Sequence, residues 1–300
     1  MKQAIRIVLA AALFALPLGQ ARAAIYAVVV GVDAYERLPK LTGAVNDARD
    51  LAGALTALGA EVELIVDAEA TRRRVTDALD RQIRRAGAGD LFVFTYAGHG
   101  LQEPEAIPGD EADGRDETIV FAGFGESGPR AGERLRDNEI GAILGQVDPA
   151  ARAFVLIDSC HSGTMTRQMD LRGRDAPTRF AGIGRISDDP LPTPAARTKG
   201  LDIGGGANVI FVAAARDEEQ IPEVEIEGRM RGAVSWTVAR ALEGASGFGG
   251  PDMPLAEFQT YVRAQARALS AARQTPSVNL PPDIAPDAPL VPATALGGSQ

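Results

Sequence analysis

The sequence predicts an α/β domain with a mostly parallel central sheet flanked by helices on both faces. Three observations carry that prediction. Short, continuously apolar, β-branched runs recur along the chain, the pattern of strands buried on both faces. Segments with apolar residues at helical spacing lie between several of these runs, as crossover connections require. Two of the runs break off into small and polar residues, "YAGHG" at 96–100 and "DSCHSGT" at 158–164. The carboxyl ends of parallel strands are where such sheets build their sites.

Taken in order, "IYAVVVGV" (25–32) is the first strand. Asn46–Leu58 places Ala48, Leu51, Ala52, Leu55 and Leu58 on a helical face, and Gly59 closes it. "EVELIV" (61–66) is the second strand. Thr71 is a cap for a helix running through Ala86, with Val75, Leu79 and Ile83 on one face. "LFVFTYA" (91–97) and "AFVLID" (153–158) are the third and fourth strands, with a helix around Asn138–Leu144 between them. "NVIFVAAA" (208–215) is the fifth, and Val234–Leu242 and Leu255–Leu269 read as helices. Residues 164–206 carry arginine, proline and glycine with neither period, which predicts an exposed loop. Residues 281–300, rich in proline and alanine, are expected to be disordered. The glycines of "IGGGA" (203–207) lack a P-loop lysine and read as linker.

Residues 1–23 stand apart as a signal peptide. Lys2 and Arg6 form a basic start, Ile7–Leu18 an apolar stretch short for a membrane span, and Ala21-Arg22-Ala23 a cleavage site. The expectation is a secreted or periplasmic product starting near Ala24, with no membrane association after cleavage. Residues 24–280 then form one domain, and 45% hydrophobic residues supply ample core. The formal charge is −9, and losing Lys2, Arg6 and Arg22 takes it to −12. Such a chain repels phosphates, so nucleic acid is excluded as an expected partner. With a single cysteine, Cys160, an exported chain forms no internal disulfide, and that thiol is either a buried small hydrophobe or a reactive group.

The neighbours of Cys160 favour reactivity. A thiol attacks as thiolate, and an imidazole can take its proton and later protonate a leaving amine. His99 and Cys160 each follow the carboxyl end of a predicted strand, so both are expected on one rim. His161 is a rival base, but residues adjacent along an elbow point in different directions, which favours His99. Glycines on either side of His99 allow close approach of a substrate backbone. Gly100 and Gly163 are the candidate positions for loop and oxyanion support. A thiol–imidazole pair needs no cofactor. One cysteine and two histidines make a closed zinc site depend on a carboxylate, and no strand ends in a serine-hydrolase elbow.

"YAGHG" followed by "DSCHSGT" closely resembles the catalytic His and Cys motifs of the metacaspases and their prokaryotic caspase-like relatives. The segments "LTGAVNDARDL" (41–51), "GDEADGRDETIV" (109–120), "LRDNEIGAIL" (135–144) and "AAARDEEQIPE" (213–223) continue the pattern in order, as do "GAVSWTVARAL" (232–242) and "QTPSV" (274–278). The resemblance implies a caspase–haemoglobinase-like fold, with His99 as base and Cys160 as nucleophile of a cysteine endopeptidase. It implies cleavage after Arg or Lys, with Asp158 and Asp47 in the acidic S1 pocket, since paired carboxylates bind guanidinium and reject an acid. It makes calcium a candidate ligand through Asp116 and Asp137, although Asn138 stands where a second acid is usual and Arg167 where an aspartate follows the cysteine. Nor does "GDEADGRDE" meet the EF-hand spacing, because Phe121 falls at the twelfth position from Asp110. A basic-P1 specificity would make Arg167, Arg172, Arg174, Arg179, Arg185, Arg197 and Lys199 of the 164–206 loop candidate self-cleavage points. The family resemblance also implies a monomer acting on protein or peptide substrates. The alternative is a catalytically silent caspase-like module that holds basic peptides in the same pocket.

Overall fold

The apolar run at the start of the domain forms β1 (Ile25–Gly31), buried except for Tyr26 and lying between two parallel neighbours, β2 (Glu61–Val66) and β3 (Leu91–Ala97). The computed structural model of this 300-residue chain describes residues 23–108, 114–160, 178–183, 208–215, 219, 221–244 and 250–296. Within them a six-stranded sheet runs β2-β1-β3-β7-β9-β12, adding β7 (Arg152–Asp158), β9 (Val209–Ala213) and an antiparallel edge strand β12 (Ser277–Asn279). The register of β3 on β7 pairs Ala97 with Asp158. His99 and Cys160, each two residues further on, therefore leave adjacent strands at one rim.

Side chains alternate across the sheet. Ile25, Ala27 and Val29 face α1 (Ala44–Ala57), α4 (Ala233–Glu243) and α5 (Leu255–Leu269) in one core. Val28 and Val30 face α2 (Arg72–Arg85) and α3 (Asp137–Leu144) in the other. Thr71 caps α2 as expected, its hydroxyl accepting from Arg74 N at 3.2 Å. Helix α1 starts earlier than the periodicity indicates because its cap comes from a distance: Asp33 accepts from Ala44 N at 2.8 Å and Val45 N at 3.3 Å. Gly31 permits this packing, since a Cβ there would lie 2.6 Å from both Ala44 O and Ala48 Cβ.

Three features differ from the sequence-based expectation. A second sheet, β6 (Arg134–Arg136), β5 (Arg115–Val120), β4 (Gly100–Pro104) and β8 (Phe180–Ile183), stands over the rim, beside the hairpin of β10 (Val224–Ile226) and β11 (Arg229–Arg231). Its strands hide polar pairs that mask an apolar signature: buried Glu103 on β4 takes two bonds from buried Arg134, both at 2.9 Å. The 164–206 segment is not an exposed loop throughout, for β8 lies in it and Arg179 is buried. The tail expected to be disordered from Pro281 is packed through residue 296, ending in α6 (Ala293–Leu296). Leu290, Val291 and Ala295 are buried, and Leu290 N and Val291 N bond Met253 O and Pro251 O at 2.8 Å. Proline removes donors there without preventing apolar burial.

Candidate active site

The two elbows are tied together at the backbone, where Gly98 N donates to Asp158 O at 3.3 Å. His99 is fully buried and held from three sides. Its N–H donates to the Tyr35 hydroxyl at 2.7 Å, the Tyr96 hydroxyl lies 2.7 Å from its carbonyl, and the Tyr35 ring sits 4.7 Å from the imidazole. Its Nε2 is 2.8 Å from Pro39 O. A carbonyl only accepts, so Nε2 carries the proton and Nδ1 the lone pair. Nδ1 makes no hydrogen bond of ordinary geometry. Burial lowers the imidazole pKa, opposed by the Pro39 and Arg179 carbonyls.

Cys160 is equally buried. Its Sγ receives the Ile221 N–H at 2.6 Å and lies 3.8 Å from Ile221 O. Burial pushes the thiol up to about 12, so in this arrangement it is protonated at neutral pH. Burial thus favours the neutral thiol and the neutral imidazole.

Beside the elbows lies a pocket of three buried carboxylates around one buried guanidinium. Asp47 of α1 pairs with Arg179 Nη2, Asp158 Oδ1 lies 3.1 Å from Nη1, and Glu223 Oε1 is 3.6 Å from Nη2. Each carboxylate is fixed by N–H donors at a helix start. Gly232 N donates to Asp47 at 2.9 and 3.0 Å, and Ser235 N and Oγ donate to Asp158 at 3.1 and 2.6 Å. Thr42 N and Gly43 N donate to Glu223 at 2.9 and 2.8 Å. Burial disfavours the Asp47 charge and raises its carboxyl, and the paired Arg179 guanidinium opposes that and keeps the contact an ion pair. Burial also disfavours the Arg179 charge, but Asp158, Asp47 and Glu223 outweigh it and hold the guanidinium charged. The backbone of Arg179 is engaged as well. Its carbonyl accepts from Gly100 N at 3.0 Å and Cys160 N at 3.3 Å, and its N–H donates to Ile221 O at 3.2 Å.

The structure thus brings His99, Cys160, Gly100, Asp47 and Asp158 to one place and adds Glu223, which the sequence reading had only as the last residue of "AAARDEEQIPE". The acid just before a predicted turn was the available signal, but nothing local ties it to Asp47. His161 and Gly163 lie outside the described residues, as do Arg167, Arg172, Arg174, Arg185, Arg197 and Lys199. Asp116 is buried and accepts from Ala106 N at 3.0 Å, with Arg136 Nε 3.6 Å away. Asp137 accepts from Asn138 N at 2.7 Å. No group of three or more His, Cys, Asp or Glu able to hold a metal occurs among the described residues. Asp110, Glu111 and Asp113 of the same acidic stretch lie outside the described residues.

Comparison with known proteins agrees with this architecture. Residues 26–170 match the family described as metacaspase, peptidase C14 domain. Metacaspase-1 of Mycosarcoma maydis is 28% identical over 251 residues, covering 70% of this chain and 60% of the relative. Metacaspase-1A of Aspergillus oryzae is 24% identical over 263 residues, covering 72% and 59%. The chain thus spans about three-fifths of the length of these curated relatives. A crystal structure of a protein from Geobacter sulfurreducens shares the fold, with a TM-score of 0.68 and 24% identity over 90% of this chain and 97% of that one. With the paired elbows at one sheet rim and the matched segment spanning both, the chain is similar to the metacaspases of the peptidase C14 family over the part that carries the candidate site.

Proposed function

We propose that this chain is an exported cysteine endopeptidase that cleaves protein or peptide substrates after Arg or Lys, acts as a monomer and processes itself within residues 164–206. One observation carries the reading: a guanidinium sits among Asp47, Asp158 and Glu223 while its own carbonyl meets the N–H groups of both elbows. Three carboxylates reject an acidic side chain and favour the forked guanidinium over the compact ammonium of lysine. The two N–H groups are placed to stabilise an oxyanion as the carbonyl becomes tetrahedral. Cys160 Sγ is the nucleophile. His99 Nδ1, held as acceptor by the Pro39 carbonyl, takes the thiol proton and returns it to the leaving amine.

The amino terminus supports the processing point of the leader. Ala24 N lies 2.7 Å from Asp90 Oδ1, so cleavage after Ala23 would set a charged amine on a carboxylate. No helix among the described residues is long and apolar enough to cross a membrane. The raised thiol and its bond to Ile221 favour a second reading, a silent module that holds basic peptides. Matched fluorogenic peptides ending in Arg, Lys or Asp, given to the chain from Ala24 and to Cys160→Ala, decide between them. Cys160-dependent turnover after Arg or Lys is expected, and none from a folded chain selects the silent module. Parallel assays with calcium and with chelator test whether Asp116 and Asp137, with residues outside the described ones, bind calcium. Turnover unchanged by chelator removes calcium from the proposal.

A further inference from the structure

We propose that Tyr35 and Tyr96 are positioning residues for the imidazole of His99: their two hydroxyls close a hydrogen-bonded circuit that begins at His99 N–H, ends at His99 C=O and sets the aim of the ring. The inference rests on the endopeptidase reading and names what holds its base in place. His99 N donates to the Tyr35 hydroxyl at 2.7 Å, and the two hydroxyl oxygens are 3.1 Å apart. The Tyr96 hydroxyl lies 2.7 Å from His99 O and 2.6 Å from Val120 O. A carbonyl only accepts, so the Tyr96 proton is shared between these two oxygens. The Tyr35 proton then goes to the Tyr96 oxygen, with Val120 O, 3.3 Å away, as its lesser partner. Both rings are buried, and burial raises both phenols above their usual range, so both protons stay in place at neutral pH. A tyrosine buried only for packing needs one carbonyl; this pair takes both backbone groups of the residue that bears the base.

Gly98 is what admits the pair. A Cβ on Gly98 would lie 2.5 Å from the Tyr35 oxygen and 2.6 Å from the Tyr96 oxygen, so a side chain there would drive the hydroxyls away. The circuit also registers the loop that crosses His99. Tyr35 and Pro39 belong to one connection between β1 and α1, folded on itself where Asp33 O accepts from Tyr35 N and Leu41 N, both at 3.1 Å. That connection meets His99 at three points: the hydroxyl on its N–H, the Tyr35 ring 4.7 Å from the imidazole, and Pro39 O 2.8 Å from Nε2. Releasing the first lets the loop shift, and with it the carbonyl that keeps the proton on Nε2 and the lone pair on Nδ1. A misplacement of about 1 Å costs a catalytic group on the order of a hundredfold in rate. Asp47, Asp158 and Glu223 take their bonds from other donors, so the circuit bears on turnover rather than on binding.

The test uses the chain from Ala24 with Tyr35→Phe, Tyr96→Phe and the double variant, in which each ring is kept and only a hydroxyl is lost. With Arg-ending fluorogenic peptides, kcat should fall about ten- to a hundredfold in each single variant, with KM within about twofold of the parent. Because the hydroxyls act as one unit, the double variant should be slower than the worse single variant by no more than about threefold. The chain has only two histidines, so the spectrum of 15N-histidine-labelled protein reads His99 directly once His161→Gln identifies the other. The parent should show a protonated Nε2 and a bare Nδ1, and Tyr35→Phe a mixture of the two tautomers. An unchanged kcat or an unchanged His99 spectrum in folded Tyr35→Phe overturns the inference, since a hydroxyl that only stabilised the fold would move the melting temperature alone. If the parent turns over no peptide, the endopeptidase reading fails by itself, and the histidine spectra still decide whether the circuit aims the ring.

Discussion

Replacing Asp47 with Asn tests whether the pocket reads charge. The substitution is close to isosteric, and the amide oxygen can still accept from Gly232 N, which now bonds both carboxylate oxygens. What disappears is the charge paired with the arginine Nη2. Leaving a buried ion without its partner costs about 3–5 kcal/mol. Here Asp158 at 3.1 Å and Glu223 at 3.6 Å still face the guanidinium, which reduces the loss to about 2–3 kcal/mol. At about 1.4 kcal/mol per tenfold, kcat/KM for Arg peptides should fall roughly 30- to 150-fold. The assay belongs in the Arg179→Gln background, because in the parent the same change also weakens the resident Arg179 and part of the effect cancels. Citrulline peptides, neutral but of arginine shape, serve as the reference. Their kcat/KM should change far less, so the arginine-to-citrulline ratio collapses. An unchanged ratio in a folded Asp47→Asn chain would refute the electrostatic account of S1.

Three further outcomes follow from the same geometry. Gly232→Ala puts a Cβ 2.6 Å from the Arg179 Nη1 position and against the Asp158 carboxylate, so it should raise KM for Arg peptides by about five- to a hundredfold. Michaelis curves check this, and an unchanged KM sinks it. Because burial holds the Cys160 thiol at about 12, iodoacetamide labelling of the uncut chain should climb about tenfold per pH unit from 7 to 10. A plateau near 8.5, where an ordinary cysteine ionises, would contradict it. Burial and Glu223 raise Asp33 to about 6, so its contribution to stability is present below the usual carboxylate pKa of about 4 and lost as pH rises through 6. Asp33→Asn should therefore be more stable than the parent by about 1–2 kcal/mol at pH 7.5, allowing for partial exposure, with the gap closing near pH 4. Urea melts at the two pH values measure it, and a gap independent of pH refutes it.

The pocket has a consequence for stability as well as specificity. Asp47, Asp158 and Glu223 come from three separated parts of the chain, and each is held by backbone N–H groups even where it faces another acid. Those donors hold the carboxylates independently of the guanidinium, so little ordering would remain to be done if a substrate arginine bound there. A buried cation completes the cluster, and here the chain supplies it.

The sequence by itself determined the central sheet and the rim. Continuous apolar runs and helical spacing are local patterns, and the strands at 61–66 and 91–97 and the helix Leu255–Leu269 have the ends that reading assigned. The elbows after Ala97 and Asp158 were legible for the same reason, since a strand's end is written in a few consecutive residues. Tertiary structure alone decided what fills the rim. The short strands β4 and β6 carry charges that pair across the intervening β5, so their burial leaves no period to read. Glu223 joins Asp47 and Asp158 only once α1, β7 and the segment before β10 converge. Arg179, one basic residue among several in an apparently featureless loop, takes the central position because burial among three fixed carboxylates requires a cation, a demand that exists only after the chain has folded.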